Sequence, residues 1–155
     1  MNFNYLASFC VLAVLVAGCG GEAVDFKKLV ERDGMKFNAK SDTPFTGRAV
    51  DRYENGQKWL DCTFKNGKRE GRNTAWHENG QKRLESTYKN GKLEGKYPKW
   101  AETGHKQTEE TYKNGKREGK HTAWYKNGQK RLEGTYEDGE LKGEYERWTE
   151  DGQKE

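Results

Sequence analysis

Beyond residue 28 the chain alternates apolar and polar side chains in short runs, as in Arg83-Leu84-Glu85-Ser86-Thr87-Tyr88. A period of two places Leu84, Ser86 and Tyr88 on one face of a strand, and Arg83, Glu85 and Thr87 on the other. The runs are punctuated by nine x-Gly pairs: Asn55-Gly56, Asn66-Gly67, Asn79-Gly80, Asn90-Gly91, Thr103-Gly104, Asn114-Gly115, Asn127-Gly128, Asp138-Gly139 and Asp151-Gly152. Asn-Gly and Asp-Gly tolerate positive φ at both central positions of a type I′ turn, whose twist matches the strands it joins, so each pair predicts a two-residue hairpin. The glycines fall alternately 11 and 13 residues apart. That spacing leaves strands of roughly nine and eleven residues, with no room for helices between them.

The pattern repeats with a period of 24 and no insertion, over residues 47–70, 71–94, 95–118 and 119–142, and a half copy follows. Such self-similarity dictates a stacked architecture in which each unit covers its neighbour. With a two-residue loop at every corner, Tyr88 stands opposite Gly71 on one side and Leu93 on the other. Phe64, Tyr112 and Tyr136 hold the equivalent places, and these structural aromatics cover bare strand glycines. Trp76, Trp100, Trp124 and Trp148 recur at the fifth position after the repeat glycine. Strict pairing sets them opposite Arg83-type residues on the charged face, whereas a one-residue bulge at Gly71, Gly95, Gly119 and Gly143 would turn them to the tyrosine face. The pattern leaves both arrangements open. The first copy has Arg52 at the tryptophan position and Tyr53 beside it, as expected of a capping repeat. The expected fold is all-β, an elongated single-layer antiparallel β-meander built from 24-residue repeats.

Residues 5–18 are a different kind of segment, an apolar run of signal-peptide length that is too short and too early for a spanning helix. Val16-Ala17-Gly18-Cys19 follows small residues with a thiol and resembles the bacterial lipobox, which implies cleavage before Cys19 and its acylation. Gly20 in the next position, rather than Asp, implies an outer-membrane location facing the periplasm or cell surface. The domain reading is therefore a signal peptide over 1–18, a lipidated Cys19 and tether over 19–27, a cap hairpin over 28–46 and four and a half repeats over 47–155. Of three cysteines, Cys10 lies in the signal and Cys19 carries lipid, so Cys62 is left without a disulfide partner.

Composition sharpens this picture. Charged residues at 35% against 31% hydrophobic would permit disorder, but 12% aromatic side chains argue for a packed sheet. The net charge of +4 is uneven, with 26 basic and 17 acidic side chains over residues 1–136, and 3 and 8 over residues 137–155.

The units W-x-x-N-G-Q-K and Y-K-N-G-K-x-E-G resemble the bacterial variant of the MORN (membrane occupation and recognition nexus) repeat, over residues 28–155. The segment 29–47, ending in Pro44-Phe45-Thr46-Gly47, is also similar to the start of bacterial proteins labelled as toxin–antitoxin system antitoxins. The resemblance implies a single-layered antiparallel sheet used for protein contact and, in some members, for lipid contact.

No catalytic constellation accompanies the repeat. His77, His105 and His121 occupy different repeat positions, and Cys62 is replaced by Ser86, Glu110 and Gly134 in the other copies. The adjacent pair Glu109-Glu110 points to opposite faces of a strand, which suits acid–base work poorly. Glu70, Glu94 and Glu118 would repel phosphate, so nucleic acid is not an expected partner. The expectation is a non-enzymatic, membrane-anchored protein-binding module with no cofactor and no metal, of antitoxin or immunity type. Its candidate surface is Trp76, Trp100, Trp124, Trp148 and Tyr125. The alternative is an envelope-structural protein lying against phospholipid or cell-wall polymer.

Overall fold

A computed structural model describes residues 22–155. The signal peptide expected over 1–18 and the lipidation of Cys19 lie outside these residues. The chain opens with β1 (Val24–Asp25), one 3-10 turn (Phe26–Lys28) and the hairpin β2 (Leu29–Arg32) and β3 (Met35–Asn38). The repeats follow as β4 (Gly47–Arg52), β5 (Lys58–Lys65), β6 (Lys68–Arg69), β7 (Gly71–Trp76), β8 (Lys82–Lys89) and β9 (Lys92–Trp100). They continue with β10 (Lys106–Lys113), β11 (Lys116–Arg117), β12 (Gly119–Trp124), β13 (Lys130–Glu137) and β14 (Glu140–Arg147). One open sheet runs β1-β4-β5-β7-β8-β9-β10-β12-β13-β14, with β6 and β11 extending the hairpins of β5 and β10. At about 4.8 Å per strand this ribbon is roughly 45 Å long.

The meander of repeats is antiparallel throughout, as expected, but β1 adds to β4 in parallel, pairing Val24 with Ala49 and Asp25 with Val50. Residues 24–27, expected to be tether, therefore belong to the folded unit. Phe26 packs its ring 6.3 Å from Phe64, and Phe45 lies 5.9 Å from the same ring. Leu29 and Phe45 join Ala49, Leu60, Cys62, Phe64 and Ala75 in one buried cluster. The core thus sits at the first-repeat end, where the N-terminal segment covers one face of the sheet. Burial there pushes the Cys62 thiol up to about 11.

The corners are of two kinds. Asn66, Asn90, Asn114 and Asp138 have φ of 50 to 52°, and the glycine after each is also positive, so these four are the expected type I′ turns. At the other five corners only the glycine is positive. Tyr53 N–H donates to the Gln57 carbonyl (2.9 Å) and Gly56 N–H to the Tyr53 carbonyl (3.0 Å), which defines a type I turn closed by a left-handed glycine, a three-residue loop. The same bonds recur at His77, Ala101, Tyr125 and Thr149. The asparagine side chain explains the choice. Asn79 Oδ1 accepts from Gln81 N–H (3.0 Å) and its Nδ2 donates to the Glu102 carbonyl of the next repeat (2.7 Å), so the loop is tied along the ribbon.

An extra loop residue would shift every downstream pair by one. It is offset by one bulged residue, since Ala75 pairs with Leu84 but Trp76 pairs with Lys82, leaving Arg83 out of the ladder. Trp59, Gln107 and Arg131 are the equivalent bulges. Past them the expected register returns: Gly47 faces Phe64, Gly71 faces Tyr88, Gly95 faces Tyr112 and Gly119 faces Tyr136. Gly71, Gly95, Gly119 and Gly143 take φ of 72 to 79°. Around Gly95 two extra residues are accommodated, because Leu84 pairs with Lys99 and Thr87 with Glu94. Two extra residues preserve the side-chain alternation, so the glycines do not turn the tryptophans over.

Candidate binding surfaces

The outer face carries the tryptophans. Lys58 Nζ sits 5.0 Å from the Trp76 ring centre, Lys82 5.8 Å from Trp100, Lys106 5.5 Å from Trp124 and Lys130 4.8 Å from Trp148. Each lysine also bonds a carboxylate three residues on: Asp61 at 3.0 Å, Glu85 at 2.8 Å, Glu109 at 2.6 Å and Glu133 at 3.0 Å. A second cation closes three of these sites, Arg48 on Asp61, Lys96 on Glu109 and Lys120 on Glu133. Arg48 holds the Asp61 carboxyl below its ordinary value, and Lys106 and Lys130 do the same for Glu109 and Glu133. Seven cations on this face are therefore matched by anions, and Arg52 and Arg72 are not.

Three of these tryptophans are also tied from behind. Tyr53 donates its hydroxyl to the Trp76 carbonyl (2.8 Å), His77 Nε2 lies 2.8 Å from the Trp100 carbonyl, and Tyr125 donates to the Trp148 carbonyl (2.9 Å). All four expected tryptophans and Tyr125 thus fall in one periodic ladder, half-buried, with their contacts made to neighbouring repeats. Glu70, Glu94 and Glu118 stitch the opposite edge, accepting from the backbone N–H of Asn90 (2.7 Å), Asn114 (2.9 Å) and Asp138 (3.0 Å).

The inner face carries the repeat aromatics Phe64, Tyr88, Tyr112 and Tyr136. Under the N-terminal cap it is apolar; beyond β7 it is open and becomes polar. The bulge brings Arg83 onto this face, where it stacks 5.8 Å from Trp59, a ring packed against the core. Arg83 was expected beside Glu85 on the charged face, and the bulge is the reason it is not. Arg69 stacks over Tyr88 at 5.4 Å, Lys99 over Tyr97 at 4.8 Å and Arg117 over Tyr136 at 5.2 Å. In the third repeat Glu110 is 4% exposed and is held by Arg117 (3.0 Å) and the Tyr112 hydroxyl (2.8 Å). His121 lies 3.9 Å from the same carboxylate, and Tyr145 bonds Tyr136 and approaches His121 Nδ1 at 3.5 Å. Burial lowers the His121 pKa more than Glu110 raises it.

Sequence reasoning missed this inner-face cluster because Lys99 and Glu110 break the repeat rather than follow it. Their signal was present: the equivalents of Lys99 are Asp51, Ala75, Ala123 and Arg147, and those of Glu110 are Cys62, Ser86 and Gly134. Among the described residues no group of three or more His, Cys, Asp or Glu is placed to hold a metal ion.

Comparison with known proteins agrees with the observed geometry. Residues 69–90, 93–114 and 117–138 match the family model of the MORN repeat variant. Successive matches start 24 residues apart, and each spans a three-residue corner and its bulge and ends on the first residue of a type I′ corner. No curated protein matches the chain. MORN repeats are in general binding modules for membrane phospholipid or for protein. Within residues 69–138 the chain is thus similar to three consecutive copies of the MORN repeat variant.

Proposed function

We propose that this protein is a non-enzymatic binding module, held to the bacterial envelope by a lipid on Cys19, whose repeat sheet takes up a protein partner. The observation that carries this reading is the unequal use of the two faces. On the outer face the tryptophans, lysines and carboxylates are engaged with one another. On the inner face, tyrosines and arginines beyond the cap have no covering layer among the described residues, and these are the side chains that dominate protein–protein hot spots.

An antitoxin or immunity role is the form of this activity that the resemblance of residues 29–47 supports, with a small toxic protein as partner. Affinity capture from solubilised envelopes, with the acylated protein as bait, tests the reading. A stoichiometric protein partner is the expected outcome. Retention on sacculi or liposomes with no protein partner would replace it with the envelope-structural alternative.

A further inference from the structure

The charge of the two faces is not alike, and the difference names a class of partner. On the outer face Arg48, Lys58, Lys82, Lys96, Lys106, Lys120 and Lys130 each have a carboxylate within 4 Å, while Arg52 and Arg72 have none among the described residues. On the inner face Arg69, Arg83, Lys99, Arg131 and Arg147 have none among the described residues. Arg147 belongs to this face because it pairs with Leu132. Arg131 belongs to it as the bulged equivalent of Arg83, and its charge acts on His121. Among the described residues the inner face of the sheet offers two carboxylates in return: Asp51, buried under the cap, and Glu110, already held by Arg117.

We infer that the open inner face, from β8 to β14, seats an acidic polypeptide segment. The inference rests on the binding-module reading and adds which face binds and what chemistry it recognises. Two observations point to polypeptide as the occupant. First, the same face is already covered by polypeptide at its first end, where Phe26, Leu29 and Phe45 lie on Leu60, Phe64 and Ala75. The electrostatics of that covered half are complementary: the face's Asp51 meets Lys27 of the cap at 3.3 Å. In the open half the signs are reversed, with cations on the sheet and carboxylates required from the occupant. Second, the cations are stacked on Trp59, Tyr88 and Tyr97, so their planar or apolar parts are pre-ordered while their charge stays exposed. Repeat spacing separates Arg83 from Arg131 by roughly four strands, about 19 Å, which suits an extended acidic chain better than a single small anion.

The test uses the whole acylated protein in detergent with three probes of matched charge: a fluorescent 20-residue peptide alternating Glu and Leu, a polyphosphate, and phosphatidylglycerol vesicles. The peptide is expected to bind most tightly, with an affinity that falls as salt is raised. The double variant Arg83→Glu, Arg131→Glu is expected to weaken peptide binding at least tenfold, while Lys82→Glu, Lys130→Glu on the outer face changes it less than threefold. Circular dichroism and melting temperature report that each variant is folded. Equal losses for the two faces, tighter binding to vesicles or polyphosphate, or no peptide binding by the folded protein would overturn the inference. Capture of an envelope protein that the inner-face variant still binds would sink it while leaving the binding-module reading intact.

Discussion

Single residues in this sheet are best understood against their equivalents 24 positions away. Thr108 occupies the place of Leu60, Leu84 and Leu132, and its hydroxyl is buried without a partner. An unsatisfied buried hydroxyl costs about 1–3 kcal/mol. Thr108→Val keeps the shape and removes the polar atom, so urea unfolding is expected to show a gain of about 1 kcal/mol. His121 has the opposite character, since its pKa is lowered by burial among Tyr136, Tyr145, Arg117, Lys99 and Arg131, with Glu110 acting the other way. With a depressed folded value, the unfolded chain takes up a proton first as pH falls through about 6.5, and stability is lost from there downward. Asp61, Glu109 and Glu133, also depressed, lose their contribution only below about pH 4.5. The melting temperature should therefore be lower at about pH 5.5 than at about pH 7.5, and His121→Asn should flatten that interval while leaving the acid limb in place. A wild-type melting temperature unchanged between those two pH values would show that His121 is not held neutral.

At the scale of the element, the sequence was legible wherever one rule decided the outcome. The type I′ corners and the Gly–aromatic pairs follow from Asn-Gly chemistry and a period of two. The other five corners differ from the expected two-residue loop because x-Gly also suits a type I turn closed by a left-handed glycine; at Asn55, Asn79 and Asn127 a lateral bond to the next repeat favours it, and the Thr103-Gly104 and Asp151-Gly152 corners take the same form without that bond. The two errors of that reading, one loop residue and one bulge, cancel beyond the bulge, which is why Tyr88 meets Gly71 as expected while Arg83 changes face. Pairing of β1 was not legible, because two residues beside a polar stretch show no period. The edge formed by Glu70, Glu94 and Glu118 is testable through the middle residue. Glu94→Ala removes the acceptor of the Asn114 N–H and is expected to cost about 0.5–1.5 kcal/mol in urea unfolding. Glu94→Gln keeps an acceptor oxygen and should cost less than half as much. Equal losses would assign the effect to charge rather than to the hydrogen bond.

Over the whole molecule, stability is a chain of similar contacts between neighbouring repeats, with one core at the capped end. In such arrays the energy is close to a sum over units and their interfaces, so a complete unit is removable and a fraction of one is not. Deleting residues 95–118 joins Glu94 to Gly119, a junction of the same kind as Glu94-Gly95 and Glu118-Gly119 in the native chain. Each corner then keeps its own type, each bulge its compensating loop, and the Leu93 carbonyl, which now accepts from Gly115 N–H, is left opposite Gly139 N–H, the equivalent donor one repeat on. The shortened protein should fold cooperatively, with a denaturant slope reduced by about a fifth in proportion to the surface it no longer buries. Deleting residues 95–106 instead removes one strand of a hairpin together with its three-residue corner, reverses the direction of every later strand and sets the two-residue Asn114-Gly115 corner where a three-residue one is needed. Tryptophan fluorescence and amide dispersion should report a disordered C-terminal half for that variant, with the capped first repeat still folded. If both deletions fold, or neither does, the 24-residue unit is not the energetic unit of the sheet, and its stability lies instead in longer-range coupling between the capped core and the open face.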